Sequence, residues 1–209
     1  MTRMTSKRAV EERYAEIAHT DVDPRESAAL MRQSALWYAE NGIPVFPLMR
    51  GSKVPQLRSP HPGGTRCKGE CGEPGHGYHD ATTDIATVDQ WWSVWPHCNI
   101  GTPTGVVFDV LDVDGEAGYE SLSKIIEHGM LPDRTYGSIR TPNKAGVHIL
   151  LPPSGDGRCV SLMPGIDGLG RDGHSLLPPS YIVDGKRGFV GTYCWLEEYD
   201  LEGLRRDTG

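Results

Sequence analysis

Residues 106–115 read VVFDVLDVDG, and the fold turns on how this stretch is placed. Its apolar residues favour a strand spanning Val106 to Val113. Side chains alternate along a strand, so Asp112 and Asp114 point to one face and Asp109 to the other. Neither an aspartate nor a like-charge pair favours such a position. Two carboxylates on one face repel, and one is driven toward its neutral form unless a cation sits between them. Oxygen ligands on a firm element suit Mg²⁺ or Mn²⁺ taken up together with substrate phosphates. The plainer alternative is a strand that ends in a polar turn at Asp114-Gly115.

C-terminal to this stretch, Glu116 to His128 has helical spacing, with Leu122, Ile125 and Ile126 inward and Gly129 as its stop. Only strand signals follow, at 135–140, 147–151, 176–177, 181–183 and 189–195, with Asp184-Gly185 as a hairpin turn. His148 falls in one of these strands behind Gly146, which permits a close backbone approach. A lone strand histidine also fits a satisfied core residue, and Asp167 in GIDG (165–168) by itself fits a turn. On the N-terminal side, Asp84 or Thr83 caps a helix carrying Val88, Trp91, Trp92 and Trp95. The helical spacing of these tryptophans suits core packing better than base stacking, and Tyr193, Trp195 and Tyr199 are read in the same way. Ile43 to Leu48 is a short strand preceded by a helix from Asp23-Pro24 to Gly42, and the first 20 residues form a weak helical extension.

Residues 49–83 are rich in Gly, Pro and His and almost devoid of aliphatics, so a loop of this length is either mobile or held by something other than a core. Within it, His61, Cys67, Cys71 and His76 offer two imidazoles and two thiols. Tetrahedral Zn²⁺ takes such ligands from closely spaced pairs on Gly-rich turns, and a bound ion supplies the order the loop lacks. His79 competes with His76 for the fourth position, and a flexible loop with two free thiols is the alternative to a zinc site. The other cysteines, Cys98, Cys159 and Cys194, stand apart in sequence and suit ordinary buried thiols.

The chain has 209 residues, 37% hydrophobic and 23% charged, which suits one globular domain with a small appendage. It has no apolar run long enough for a membrane span, and Met1 to Val10 lacks the apolar centre of a secretory signal, so a cytoplasmic location is expected. The net charge of −7 argues against gripping nucleic acid by bulk charge. A local basic face remains at Arg50, Lys53, Arg58, Arg66 and Lys68, and the last three could touch nucleic-acid phosphate.

The order Asp112-x-Asp114, then His148, then Asp167 resembles the archaeo-eukaryotic primase superfamily, in its bifunctional primase–polymerase branch found in phages and plasmids. Further matches run from WYAENG (37–42) and IPVFPL (43–48) through GSKVP (51–55), HDATTD (79–84), the tryptophan helix and Asn99-Ile-Gly101. They continue through Arg140-Thr-Pro142, Gly146-Val-His148 and Pro178-Pro-Ser180, so the resemblance covers about residues 30–195. It implies an α/β (α+β) domain with an RRM-like, mainly antiparallel catalytic sheet. An N-terminal helix–strand unit stands beside that sheet and a zinc-binding loop, about 58–80, projects from it. The catalytic domain then spans 26–196, with 1–25 as an N-terminal helical extension and 197–209 as a linker toward a helicase part.

The resemblance also implies DNA-dependent nucleotidyl transfer that makes and extends primers, using a single-stranded DNA template, a primer strand and NTP or dNTP. Asp112, Asp114 and Asp167 would hold two divalent ions, Mg²⁺ or Mn²⁺, that activate the primer 3′-hydroxyl and stabilise charge on the α-phosphate. His148 would contact the triphosphate, with Arg140, Lys144 and Arg171 as cations able to share that task, and Ser180 and Asn99 would touch nucleotide or sugar. Two other functions use parts of the same residue set. One is a non-catalytic zinc module for single-stranded nucleic acid, and the other is a metal-dependent nuclease or phosphohydrolase.

Overall fold

The computed structural model describes residues 24–63, 65–143, 146–157, 159–184 and 189–196. Residues 1–23 of the expected 1–25 extension, the 197–209 linker with Tyr199, Lys144 and Gly185 of the hairpin turn lie outside the described residues, while Pro24 and Arg25 open the first helix.

Helix α1 (Pro24–Glu40) buries Leu30, Met31, Ala35, Tyr38 and Ala39. Helix α2 (Ile85–Val94) packs against it. Asp84 caps α2, its Oδ1 accepting the Thr87 amide at 2.8 Å. Trp92 is inserted fully into the core, and its indole N–H donates to the Cys98 carbonyl at 3.1 Å. Core packing is therefore what this tryptophan does, as its spacing indicates. Both helices lie by a three-stranded antiparallel sheet ordered β1-β2-β8, comprising β1 (Phe46–Leu48), β2 (Asn99–Pro103) and β8 (His174–Leu177).

The larger sheet has six strands in the order β11-β4-β5-β3-β7-β6, every neighbouring pair antiparallel. Its members are β3 (Asp109–Val113), β4 (Gly137–Arg140), β5 (Val147–Leu151), β6 (Cys159–Met163), β7 (Ile166–Leu169) and β11 (Cys194–Trp195). Helix α3 (Gly115–Glu127) covers one face, packing Leu122 and Ile125 against Leu111, Val113, Ile149 and Ile166. The other face contributes Val110, Ile139 and Leu150 to a core shared with Tyr38, Phe46, Ile100 and Leu176. Burial of each such large side chain is worth about 1.5–3 kcal/mol, and sharing one core locks the two sheets together. A hairpin of β9 (Tyr181–Asp184) and β10 (Phe189–Thr192) completes the architecture. The molecule is thus α+β with antiparallel sheets, as the resemblance implies.

Several elements differ in extent from their sequence reading. The strand expected from Val106 begins only at Asp109, because a turn closed by the Gly105 N–H to the Phe108 carbonyl (2.8 Å) leaves Val106 exposed. Ile126, expected inward, is exposed, since Leu122 and Ile125 define the buried stripe and Ile126 lies about 100° further around α3. The stretch from Phe189 to Trp195 is two strands that belong to different sheets. Strands β2, β6 and β7 are not among those expected; NIGTP of β2 and IDGL of β7 are interrupted by Gly, Pro or polar residues, whereas CVSLM of β6 has only Ser161 between its apolar residues. In β2, Gly101 is required by its neighbour, since a Cβ there would lie 2.7 Å from the Phe46 ring.

Candidate active site and metal centre

The central position of β3 creates the site. Asp112 is directly opposite His148 on β5 and directly opposite Asp167 on β7, so the three side chains leave the same face in one cross-strand row. Asp167 is therefore a strand residue, not the turn residue its local sequence suggests. The alternation continues to Asp114, the N-cap of α3, whose backbone remains extended (φ −117°, ψ 121°). Asp114 makes no capping hydrogen bond; its Oδ1 instead accepts from Asn143 Nδ2 at 2.9 Å. Asp109, on the opposite face, accepts from the amide and hydroxyl of Ser154 at 2.8 and 2.6 Å and so fastens the loop after β5.

Asp112, Asp114 and His148 line one cleft, together with Lys53, Thr141, Asn143 and Tyr193. Asp167 is not one of its walls but stands beside Asp112 on the neighbouring strand. Asp112, Asp114 and Asp167 leave one face of the sheet and offer the oxygen donors that Mg²⁺ or Mn²⁺ selects, while the close-set ligand group among the described residues is the cluster of His61, Cys67, Cys71 and His76. Thr141 Oγ1, buried at the cleft wall, has no hydrogen-bond partner. Gly146 packs against that hydroxyl so tightly that no Cβ could be added, which is the close approach its place before His148 suggests.

His148 is almost fully buried. Its Nδ1 lies 3.1 Å from Ser175 Oγ and its Nε2 lies 3.4 Å from Asp112 Oδ1. Both ring nitrogens therefore face protein groups, and the ring sets the position of Asp112 as well as lining the cleft. The Tyr193 ring packs 5.7 Å from the imidazole. Burial, and then the nearby charges of Asp112 and Asp114, hold the Tyr193 phenol well above its ordinary pKa, so it stays a neutral hydrogen-bonding group. Sequence reasoning passes over Tyr193, Ser175, Lys53, Thr141 and Asn143 as site residues. A signal existed for two of them, because Lys53 and Thr141 fall within the family-like segments GSKVP and Arg140-Thr-Pro142.

Four other candidates lie elsewhere. Arg140 pairs with Val147, one residue out of phase with His148, so its exposed side chain starts from the opposite face of the sheet. The Arg171 guanidinium donates to the Gly155 carbonyl, and its backbone N–H donates to the Asp156 carbonyl at 3.1 Å, so it clasps the loop after β5. Ser180 is fully buried, with its hydroxyl accepting from the Ile100 amide at 2.9 Å and donating to the Ile100 carbonyl at 3.3 Å. Asn99 is also buried; its amide group donates to the carbonyls of Ser52 (3.0 Å) and Tyr181 (2.7 Å) and accepts from the Tyr181 N–H (2.9 Å). Ser180 and Asn99 are staples between segments, with no surface left for a nucleotide.

The four residues expected to hold zinc come together. One ligand atom from each of His61, Cys67, Cys71 and His76 lies within 4.8 Å of the others. A tetrahedral ion with bonds of roughly 2.0–2.3 Å has ligand–ligand edges of roughly 3.3–3.8 Å, close to this spacing. Cys71 Sγ is 3.5 Å from His76 Nε2, and His61 Nε2 is buried without a hydrogen-bond partner. His76 Nδ1 faces Asp80 Oδ1 at 3.5 Å, and Asp80 Oδ2 accepts the amides of Gly75 and His76 at 2.8 and 2.7 Å. A carboxylate behind a ligating imidazole is the usual orienting arrangement. The Glu73 N–H donates to Cys71 Sγ at 3.4 Å. These residues fit zinc. His79 packs at a tilt of 43° against Tyr78 (4.1 Å between ring centroids) outside the cluster, so His76 takes the fourth place.

The protein is thus an α+β domain whose antiparallel sheet gathers carboxylates and a histidine on one face, and which carries a separate thiol–imidazole cluster. Over residues 35–205 the chain matches the family model described as "Bifunctional DNA primase/polymerase, N-terminal", or Prim-Pol. The match spans most of the chain, and the chain belongs to that family. Its general function is accordingly that of a DNA primase/polymerase domain. The chain has no significant match among curated proteins. Among the described residues, no helix is long and apolar enough to cross a membrane.

Proposed function

We propose that this chain makes and extends primers on single-stranded DNA by template-dependent nucleotidyl transfer, with Asp112, Asp114 and Asp167 holding two divalent ions, Mg²⁺ or Mn²⁺. The observation that carries this reading is the cross-strand row of Asp167, Asp112 and His148 with Asp114 on the same face. When bound there, the ions supply charge neutralisation at the α-phosphate and activation of the primer 3′-hydroxyl. The chain's own residues shape the rest. Ser175 and Asp112 hold the His148 ring, which meets the triphosphate from the cleft wall, and Asn143 keeps the Asp114 carboxylate aimed inward. The zinc loop is structural, and its Arg58, Arg66 and Lys68 meet template phosphate.

The partners are template, primer strand, NTP or dNTP, and a fused or associated helicase, in phage or plasmid replication within the cytoplasm. The test is incubation with primed single-stranded template, nucleotides and Mn²⁺. Chain growth is expected. Loss of chain length would instead identify a nuclease, and binding without any change of length would identify a non-catalytic nucleic-acid module.

A further inference from the structure

The two divalent ions proposed for Asp112, Asp114 and Asp167 offset the charge of those carboxylates, but a nucleoside triphosphate brings several further negative charges that call for a cation from the protein. The arginines that the sequence offers for the phosphates are directed elsewhere, Arg140 from the opposite face of the sheet and Arg171 onto Gly155. Among the described residues, Lys53 is the only lysine or arginine that lines the cleft.

The backbone around Lys53 is unusually well held for a loop. Asn99 Nδ2 donates to the Ser52 carbonyl at 3.0 Å, and His174 Nε2 lies 3.2 Å from the Lys53 carbonyl. The Met49 amide donates to the Val54 carbonyl at 2.8 Å, and the Val183 amide donates to the Gly51 carbonyl at 3.1 Å. The Lys53 side chain, by contrast, is exposed and makes no ion pair among the described residues. A pinned backbone with an uncommitted ammonium group at a cleft wall suits capture of an anion, because little ordering entropy remains to be lost on binding. Thr141, also at this wall, has a buried Oγ1 without a hydrogen-bond partner.

We infer that Lys53 binds the terminal phosphates of the incoming nucleoside triphosphate, and that Asn99 and His174 are positioning residues which hold its loop at the cleft. The inference rests on the nucleotidyl-transfer reading of the same site. It also gives Asn99 a role at one remove from the nucleotide contact its sequence position suggests.

The test compares wild type, Lys53→Ala and Lys53→Arg in primer extension and in direct binding of fluorescent mant-dATP and mant-dADP with Mn²⁺. A charge-assisted phosphate contact predicts that Lys53→Ala raises the nucleotide KM roughly 10- to 100-fold, with kcat much less affected. Lys53→Arg recovers most of the loss. Wild type prefers mant-dATP over mant-dADP, and Lys53→Ala loses most of that preference. DNA affinity is unchanged, and because Lys53 is exposed the thermal unfolding midpoint is unchanged too. If wild type extends primers while Lys53→Ala keeps a normal KM and preference, or loses DNA affinity instead, the assignment of Lys53 fails alone. If wild type neither extends primers nor binds mant-dATP, the reading of the site fails and this inference with it.

Discussion

Asp112 and Asp114 are costly residues for a strand end, and that cost is the best indication of what they do. Replacing both by Ala removes two of the carboxylates proposed to hold metal and also relieves repulsion in the metal-free protein. Nucleotide incorporation by Asp112→Ala/Asp114→Ala should fall by more than ~1,000-fold, since metal stabilisation is worth several kcal/mol. The unfolding midpoint should be unchanged or higher, and polymerisation by the folded double mutant would refute the assignment. His148 combines two tasks, closing the cleft wall and holding Asp112. His148→Ala should raise the nucleotide KM and lower kcat/KM while leaving DNA affinity little altered. Ser175→Ala removes only the Nδ1 contact, worth about 1 kcal/mol, and should lower kcat/KM several-fold. Steady-state kinetics on folded fractions separates both effects from simple loss of stability.

At the level of elements, β3 was legible in outline and its neighbours were not. The run of Val, Leu and Asp announces a strand with a two-residue period, and β5 (Val147–Leu151) has the bounds its sequence indicates. The sequences of β2, NIGTP, and β7, IDGL, do not announce strands, because Gly, Pro and Asp lower strand preference. They become strands because neighbours with open edges accept them, β2 between β1 and β8, and β7 between β3 and β6. Gly101 illustrates the tertiary override. It weakens β2 locally, yet a side chain there would collide with Phe46. Gly101→Ala should therefore destabilise the protein by about 1–3 kcal/mol despite raising local preference, as measured by chemical denaturation.

Over the whole molecule, the zinc loop leans on the strand that supports the site. Tyr78 stacks on His174 of β8 with ring centroids 6.3 Å apart, and His174 meets Phe46 edge-on. The Lys68–Asp172 pair (3.7 Å) is exposed and adds little to this docking. Elemental analysis should find one zinc per chain. Chelation should loosen the loop and impair template-dependent initiation more than binding of Mn²⁺ at the aspartates. Thiol labelling offers a second measurement. Cys98 stays unreactive throughout, since burial pushes its thiol up to about 12, while Cys67 and Cys71 become labelled only after zinc is removed. Zinc content near zero with both thiols freely labelled would overturn the metal assignment.

By itself the sequence determined what is local. It specified the alternation that puts Asp112 and Asp114 on one face, the Asp84 cap of α2, the Leu122 and Ile125 stripe of α3 with its stop at Gly129, and the Cys and His spacing of the loop. Each depends on neighbours within a few residues, where strand and helix periodicity or chelate geometry applies directly. Only the tertiary structure decided which distant residues share the cleft. Register, not proximity in sequence, set Asp167 and His148 on either side of Asp112 and turned Arg140 to the opposite face. Burial converted Asn99 and Ser180 from candidate contacts into staples, because a polar side chain removed from water must satisfy its hydrogen bonds within the protein. The same long-range packing brought Lys53 and Tyr193 to the wall of a site whose aspartates lie dozens of residues away in the chain.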